Sequence, residues 1–367
     1  MSAERTLRPM TLAAEPFSVA IPKETLDDLR ARLARPRWPA GVTDSGGLPL
    51  EYVRELIRYW RDDFDWERQQ ARINRLRHYR ASGVHFIHEP SDDPRAAPLL
   101  LLHGWPGSFV EMLDVVPLLR RSFHVVVPSL PGYGFSDPPV SEGMSNARIA
   151  ELFAELMPVL GYERFFVQGG DWGAGIGTWL ARRFPDRVLG LHLNYIPGSY
   201  APAVDDDLTT EERNFLQQCD RWVAESGAYG AVQRTRPLTL AYGLSDSPVG
   251  LAAWIAEMFR EWADPASEIG VDALLANITI YWATNTIASS VRLYLESTRT
   301  PLRFERGERL AVPCAVARFP LEAPFPPRSW VERVYDVRRW TEMPRGGHFA
   351  AMEAPELLAD DVRAFAG

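Results

Sequence analysis

The chain has 367 residues, of which 46% are hydrophobic and 24% charged, and its net charge is −8 at pH 7. These values are typical of a globular core domain with additions, and the negative charge argues against a nucleic-acid partner held by phosphate contacts. The sequence contains neither a signal-peptide pattern nor an apolar run long enough to cross a bilayer. We therefore expect a soluble, cytoplasmic protein without a membrane partner.

The basic and sulfur-containing residues indicate the source of the sequence and whether it forms disulfides or binds a metal. Lys23 is the only lysine among 40 basic residues, an arginine bias that is typical of a GC-rich bacterial coding background. Cys219 and Cys314 are far apart and indicate no disulfide framework, and no CxxC pair is present for a metal. A phosphate-binding glycine loop is also absent from the sequence. We therefore expect no metal and no cofactor.

The first stretch of the chain is predicted to be mainly helical. Leu26, Leu29 and Leu33 follow helical spacing, and a second helical pattern covers residues 50–64. We assign all of residues 1–95 to an N-terminal extension, which we expect to wrap around the core and a later helical lid. Only its last part alternates as a strand does.

The next stretch alternates between strand and helix patterns. Short apolar runs at residues 98–102, 123–127, 164–168 and 188–193 are separated by helical patterns. Runs of this kind are typical of strands buried on both faces of a mostly parallel sheet. We assign residues 96–197 to the first part of an α/β core.

Beyond this core only helical patterns are found up to about residue 295. Strand patterns return at residues 312–317 and 338–340, before a last predicted helix. We assign residues 198–304 to an all-helical lid and residues 305–367 to the second part of the core. A helical insertion into an α/β core is typical of a cover over an active site.

Residues 169–173, Gly-Gly-Asp-Trp-Gly, lie between a predicted strand and a predicted helix. This is the context of a nucleophile elbow in which aspartate, Asp171, replaces serine, and the glycines permit a tight turn. An aspartate before a helix is also a common N-cap, so the motif alone leaves both interpretations open.

Residues 103–107, His-Gly-Trp-Pro-Gly, resemble the HGxP turn of α/β-hydrolases, which supplies a backbone N–H to an oxyanion hole. In this sequence that donor would be the N–H of Trp105. The second donor would be the N–H of Trp172, the residue after the predicted nucleophile.

A base and an acid are expected later in the chain. His348 lies on a glycine-rich loop after the last predicted strand, where the order of nucleophile, acid and histidine places the base. Glu322 follows a predicted strand and is the acid expected to orient the imidazole. Asp336 and Glu342 are alternatives nearer the next strand. The other known position for the acid, after the strand that precedes the lid, holds Asn194.

Together with longer matches, these motifs resemble the microsomal-type epoxide hydrolases, including juvenile hormone epoxide hydrolases and soluble fungal and bacterial relatives. The resemblance covers nearly the whole chain, and its other matching segments are residues 37–39, 64–66, 226–229, 235–237, 245–253 and 344–351. It implies a soluble bacterial member with an α/β-hydrolase fold. In that fold helices flank a mostly parallel sheet, and the chain adds an inserted all-helical lid and a helical N-terminal extension.

The same resemblance implies two acidic groups in the lid. The two lid tyrosines of the family correspond to Tyr229 and Tyr294, and Tyr281 is the competing choice for the second. The charge-relay acid of the family corresponds to Glu322. Phenols in the lid would donate a proton to the oxygen of an epoxide.

These residues predict an epoxide hydrolase, an ether-bond hydrolase that converts an apolar or aromatic epoxide and water into a vicinal diol. Asp171 would form an alkyl ester with the substrate, and water activated by His348 would hydrolyse it. We expect Trp105, Trp172 and Phe349 to border the substrate pocket. Detoxification and natural-product tailoring are both compatible with this chemistry, and so is a homodimer that uses the extension.

Two other functions share parts of the pattern. A haloalkane dehalogenase uses the same aspartate and histidine chemistry, and Trp105 and Trp172 could bind the halide. A non-catalytic binding protein on this scaffold would be expected to lack the nucleophile or the base, whereas Asp171 and His348 are both present. A serine esterase is excluded because residue 171 carries no hydroxyl group.

Overall fold

The computed structural model describes residues 13–41, 46–198, 200, 202, 207–267 and 269–367. In these residues nine strands form one sheet: β1 (Glu15–Phe17), β2 (His78–Ala81), β3 (Val84–Glu89), β4 (Ala97–Leu102), β5 (Phe123–Pro128), β6 (Phe165–Gly169), β7 (Val188–Leu193), β8 (Pro313–Arg318) and β9 (Asp336–Glu342). Their order across the sheet is β1-β2-β3-β5-β4-β6-β7-β8-β9.

The sheet is parallel from β5 through β4 to β9. In β4, Leu99 and Leu101 belong to the hydrophobic cluster on one face, and Leu100 and Leu102 belong to the cluster on the other. Successive side chains of a strand point to opposite faces, so a strand buried on both faces is apolar throughout. The predicted mostly parallel sheet is confirmed.

The N-terminal segment combines helices with strands. Its helices are α1 (Lys23–Leu33), α2 (Leu50–Asp62) and α3 (Trp66–Ile73). β1 pairs antiparallel with β2, β2 with β3, and β3 with β5. The expectation of a helical extension therefore omitted β1 and β2, which have three and four residues. Strands this short show too little alternation to be recognised in the sequence.

Three helices separate the central strands: α4 (Val116–Leu119), α5 (Asn146–Val159) and α6 (Asp171–Arg183). A short 3₁₀ turn, Phe109–Met112, precedes α4. Buried residues of α5 and α6 belong to the same cluster as Leu100 and Leu102, whereas those of α4 belong to the cluster of the opposite face. Both faces of the sheet are therefore covered, as a parallel sheet requires.

Between β7 and β8 the described residues form helices. They are α7 (Thr210–Glu225), α8 (Ala228–Thr235), α9 (Pro237–Asp246), α10 (Pro248–Trp262), α11 (Val271–Thr284) and α12 (Ile287–Arg299), and we call them the helical insertion. The two ends of the insertion lie side by side, because Tyr200 and Phe304 form a parallel bridge.

Polar contacts connect the helical insertion to the N-terminal segment and to the turn that follows β4. Trp60 of α2 donates from Nε1 to Oγ1 of Thr279 in α11 at 3.0 Å. Asn277, also in α11, donates from Nδ2 to the carbonyl oxygen of Pro106 at 2.8 Å and accepts a hydrogen bond from Oγ of Ser108 at 2.7 Å. These bonds hold α11 against the N-terminal segment and against the turn formed by residues 103–107.

The last part of the chain completes the sheet. Its helices are α13 (Arg328–Val331), α14 (Ala350–Glu353) and α15 (Pro355–Ala366). Leu358, Ala359 and Val362 of α15 pack in the same cluster as Leu99 and Leu101 of β4. In the part of the chain that the structure describes, no helix combines the length and the apolar character needed to cross a membrane.

Candidate active site

Asp171 stands at a sharp turn between a strand and a helix. The N-cap residue of α6 is Gly170, so Asp171 lies in the first turn of the helix and not at the cap. Its backbone has a φ of +43°, in the left-handed region that non-glycine residues rarely adopt. A Cβ on Gly173 would lie 2.4 Å from the carbonyl oxygen of Leu102, so this close approach requires glycine. These are the features of a strained nucleophile elbow.

The carboxylate of Asp171 rests on the turn formed by residues 103–107. Its Oδ1 accepts a hydrogen bond from the N–H of Trp105 at 2.8 Å. A Cβ on Gly104 would lie 2.2 Å from the same oxygen, so a side chain there would displace the carboxylate. Trp172 follows in the first turn of α6, where backbone N–H groups have no acceptor within the helix.

His348 connects two carboxylates. Its Nδ1 is 2.7 Å from Oε2 of Glu322, and its Nε2 is 3.6 Å from Oδ2 of Asp171. Burial lowers the pKa of His348, but the charges of Glu322 and Asp171 outweigh it, and the pKa lies well above its ordinary value. The imidazole is therefore held as a cation while Asp171 is ionised.

The other candidate acids lie in different surroundings. Asp336 and Glu342 each form an ion pair with an arginine. Asn194 accepts a hydrogen bond from the amide of a glutamine at 2.8 Å. Of the acids considered from the sequence, Glu322 is the one that contacts His348.

The loop that carries His348 is held by hydrogen bonds to its backbone. The carbonyl oxygen of Trp262 accepts from the N–H of His348 at 3.0 Å. The carboxylate of Glu353 accepts from the N–H of Gly347 at 2.9 Å and from the N–H of Phe349 at 2.7 Å. Three successive N–H groups thus have acceptors, which fixes the position from which the imidazole projects.

Tyr229 of α8 and Tyr294 of α12 border one cavity together with Asp171. Their rings make an edge-to-face contact with centroids 6.0 Å apart. Burial, together with the negative charge of Asp171, raises the pKa of both phenols, so both remain protonated near neutral pH. Tyr281 instead donates its hydroxyl to the carbonyl oxygen of Gly107 at 2.8 Å.

Two large cavities meet at Asp171. The first has a volume of about 440 Å³ and includes Trp172 and Tyr294, and the second has a volume of about 420 Å³ and includes Trp262 and His348. The residues common to both are Asp171, Tyr195, Gly198, Trp222 and Tyr229. Such aromatic walls favour an apolar ligand. The described residues contain no group of three or more His, Cys, Asp or Glu side chains that could hold a metal ion.

Two of the three predicted pocket residues border neither of the large cavities. Trp172 borders the first large cavity. The ring of Trp105 is covered by Tyr229, which stacks on it at 5.6 Å, and Phe349 is covered by Phe259 at 4.0 Å. Both residues border a third, small cavity of about 20 Å³, which also borders Asp171 and His348. Their contact with the substrate therefore stays a prediction.

The sequence analysis missed three residues at the site. The ring of Tyr195 is 6.2 Å from that of His348. Tyr195 closely follows the carboxyl end of β7, and ligands gather at the carboxyl ends of parallel strands, so this position was a usable signal. Trp262 at the end of α10 and Glu111 in the 3₁₀ turn gave no signal that distinguishes them from core residues.

Comparison with known proteins identifies the family. The family model for the epoxide hydrolase N terminus matches residues 14–112, and the model for the alpha/beta hydrolase fold matches residues 97–262. Epoxide hydrolase 1 of Oryctolagus cuniculus is 35% identical over 98% of this chain and 90% of its own length. The chain belongs to the epoxide hydrolase family.

The similarity to epoxide hydrolases extends over the whole architecture. The structure of Aspergillus niger epoxide hydrolase superposes with a TM-score of 0.87 at 31% identity, over 98% of this chain and 97% of that one. A Stigmatella aurantiaca protein, whose name assigns it provisionally to the epoxide hydrolases, is 42% identical over 95% of this chain and 83% of its own length. The expected α/β-hydrolase fold is confirmed.

Proposed function

We propose that the chain hydrolyses an apolar or aromatic epoxide to a vicinal diol through an alkyl ester on Asp171. One observation carries the proposal: the carboxylate of Asp171 borders a cavity with the hydroxyl-bearing rings of Tyr229 and Tyr294, and Nε2 of His348 is 3.6 Å from it. An ionised carboxylate opposite protonated phenols provides both the nucleophile and the acid that epoxide opening needs.

In the first step Asp171 attacks a ring carbon, and the bond between that carbon and the epoxide oxygen breaks. A carboxylate is suited to this step because it is ionised near neutral pH and needs no base. The leaving oxygen takes a proton from the pair formed by Tyr229 and Tyr294. The products are a hydroxyalkyl ester and a phenolate, and the phenolate recovers a proton from the imidazolium of His348.

Ester formation prepares His348 for the second step. The ester has no negative charge, and the charge of Asp171 is one of those that raise the pKa of His348. The pKa of His348 therefore falls once the ester has formed, so the imidazole becomes a base when a water has to be deprotonated.

The water then attacks the carbonyl carbon of the ester, and His348 takes its proton. The N–H groups of Trp105 and Trp172 stabilise the oxyanion that forms. When the bond to the alkyl oxygen breaks, that oxygen takes the remaining proton of the former water and leaves as the diol. Asp171 is again a carboxylate beside an imidazolium, so the cycle consumes only epoxide and water.

We also propose that residues 198–304 act as a lid over a core formed by residues 96–197 and 305–367, and that residues 1–95 brace both. The support is that the insertion supplies Tyr229, Tyr294 and the aromatic walls of both large cavities. The aromatic walls favour aryl epoxides over polar ones. The physiological role, detoxification or natural-product tailoring, and a homodimer built on the extension remain predictions.

The decisive experiment is turnover of a panel of styrene-oxide-type epoxides of known chirality, with the diols identified by chromatography. We expect diol formation by the wild-type chain and none by Asp171→Asn. Absence of diol from every member of the panel would contradict the proposal.

One observation bears on haloalkane dehalogenation as a second candidate. The indole N–H groups of Trp105 and Trp172 are buried and have no hydrogen-bond partner within the described part of the chain, as expected of halide-binding donors. However, the two residues border different cavities, so their N–H groups are not seen to converge on one leaving group. Release of chloride from 1-chlorobutane, with no diol from the epoxide panel, would reverse the order of the two candidates.

A further inference from the structure

The small cavity beside Asp171 is separate from the two large cavities. Its volume of about 20 Å³ is that of a site for a single water molecule. Neither of the two lid phenols borders it, and its lining includes the polar side chains of His103, Glu111, Gln168, Asp171, Asn194 and His348. The carboxylate of Asp171 therefore borders both the large cavities and the small one.

The Glu111 carboxyl lies on the same turn as the carboxylate of Asp171. A Cβ on Gly107 would lie 1.3 Å from Oε1 of Glu111, just as one on Gly104 would lie 2.2 Å from Oδ1 of Asp171. The absence of side chains at these two glycines thus lets both carboxyl groups approach one short segment of backbone. This arrangement brings Glu111 to the wall of the small cavity.

The surroundings of Glu111 are unusual for a carboxyl group. Burial raises its pKa to about 8, the charge of Asp171 adds to this effect, and His348 and the backbone of Ser108 oppose it. Within the described residues no arginine or lysine forms an ion pair with it. A buried carboxyl group without a cation destabilises a fold unless it is hydrogen-bonded. The backbone of Ser108 supplies one hydrogen bond to Glu111, and the small cavity has room for a water as a further partner.

We propose that Glu111 binds the water that hydrolyses the Asp171 ester. This inference rests on the proposed function. An oxygen of the Glu111 carboxyl accepts a hydrogen bond from the water, and Nε2 of His348 accepts its other hydrogen. Two acceptors on different elements fix the water oxygen beside the carbonyl carbon that it attacks.

The bonds made and broken are those of ester hydrolysis. The proton on the side of His348 moves to Nε2, and the water oxygen bonds to the carbonyl carbon. The bond to the alkyl oxygen then breaks. The hydrogen bound to Glu111 moves to the departing alkyl oxygen, so Glu111 neither gains nor loses a proton over the cycle. To hold the water, Glu111 needs only an oxygen that accepts a hydrogen bond, and both the ionised and the neutral carboxyl group have one.

A consequence is that water and substrate reach Asp171 from different cavities. The ester alkyl group would occupy the large cavities, while the water remains in the small one. Hydrolysis would then not depend on water entering beside a bulky apolar product.

Single-turnover experiments with styrene oxide test the proposal on the variants Glu111→Leu and Glu111→Gln. Quenched samples analysed by intact mass give the rates of ester formation and ester hydrolysis separately. For Glu111→Leu we expect hydrolysis to slow by at least about tenfold, as for the loss of one positioning hydrogen bond, while ester formation changes by less than about twofold. Glu111→Gln retains an amide oxygen as acceptor and should keep most of the hydrolysis rate.

Asp114→Asn is the matched control, because Asp114 is an exposed carboxylate on the same segment, paired with Arg72. It should leave both rates unchanged, and thermal unfolding of each variant verifies that it is folded. If Glu111→Leu hydrolyses the ester at the wild-type rate, the inference is overturned. It is also overturned if ester formation and ester hydrolysis slow equally, which would indicate damage to the turn formed by residues 103–107. Glu111→Gln as slow as Glu111→Leu would also overturn it. If the wild-type chain forms no ester at all, the proposed function itself fails.

Discussion

The backbone carbonyl of Trp262 accepts a hydrogen bond from the N–H of His348 at 3.0 Å, and their rings contact edge to face at 5.0 Å. Trp262 ends α10 in the helical insertion, whereas His348 lies on a loop of the core. Asp264 adds a second link by accepting from the N–H of Gly346 at 3.0 Å. The proposed base is thus oriented in part by the segment proposed to cover the substrate.

Replacement of the proposed nucleophile tests the first chemical step. Asp171→Asn should lower diol formation by about 10⁴-fold or more, because an amide is not a nucleophile at neutral pH. Intact-mass spectra after exposure to epoxide should show no adduct on this variant. An adduct of the same mass as in the wild-type chain would place the nucleophile on another residue.

Replacement of the proposed base tests the separation of the two steps. His348→Gln should form the ester but hydrolyse it about 10²- to 10⁴-fold more slowly, because no group remains to deprotonate the water. The adduct should therefore accumulate and be detected by mass spectrometry on a peptide containing Asp171. If this variant accumulates no adduct, the assigned division between Asp171 and His348 is contradicted.

Replacement of one lid phenol tests the acid. Tyr294→Phe should slow ester formation about 10- to 100-fold, because the leaving oxygen loses a proton donor. The comparison variant is Tyr281→Phe, whose hydroxyl is bound to the carbonyl of Gly107 at 2.8 Å. Rapid-mixing measurements of the initial burst give the rate of ester formation in each of the two variants. If ester formation is normal in Tyr294→Phe and slow in Tyr281→Phe, then Tyr281 and not Tyr294 is the second proton donor.

The pKa of His348 tests the proposed coupling between the two steps. Asp171→Asn removes one of the charges that raise this pKa, so the pKa should fall, as it should when the ester forms. Titration of the imidazole by NMR measures the shift, and Asp114→Asn is the control. An unchanged pKa in Asp171→Asn would contradict the coupling.

The same group makes folding stability depend on pH. Because the pKa of His348 is higher in the folded chain than the unfolded value of about 6.5, its protonation stabilises the fold below that pH. This contribution is lost as the pH rises through the folded value. Urea unfolding between pH 5 and 9 gives the free energy of unfolding of the wild-type chain and of His348→Gln. The wild-type value should exceed that of the variant by the largest amount at low pH, and the difference should shrink as the pH rises.

Glu353 provides a test of loop support away from the substrate. Glu353→Ala leaves the N–H groups of Gly347 and Phe349 without their acceptor, which should lower the free energy of unfolding by about 3 kcal/mol. Diol formation should fall as well, because the imidazole is less well fixed. Glu332→Ala removes an exposed glutamate paired with Arg328 and should cost less than about 1 kcal/mol. Equal effects in the two variants would contradict the support role.

The parts of the site that could be predicted are those encoded in short contiguous segments. The elbow around Asp171 and the loop around His348 need specific glycines next to the functional residue, so each can be recognised as a short sequence motif. Tyr229 and Tyr294 needed the resemblance to a family, because a tyrosine on a helix has no such signature. The burial of Trp105 and Phe349 could not be read from neighbouring residues, since rings from distant helices cover them.

The bridge between Tyr200 and Phe304 has an evolutionary consequence. Since the chain leaves the core and returns to it at one point, the intervening segment can be exchanged for a longer or shorter one without altering how β7 and β8 align. The entropic cost of closing such a loop rises only slowly with its length. Substrate preference could therefore diverge through changes within this one segment, provided that its two phenols, Tyr229 and Tyr294, are retained, while Asp171, Glu322 and His348 keep their places in the core.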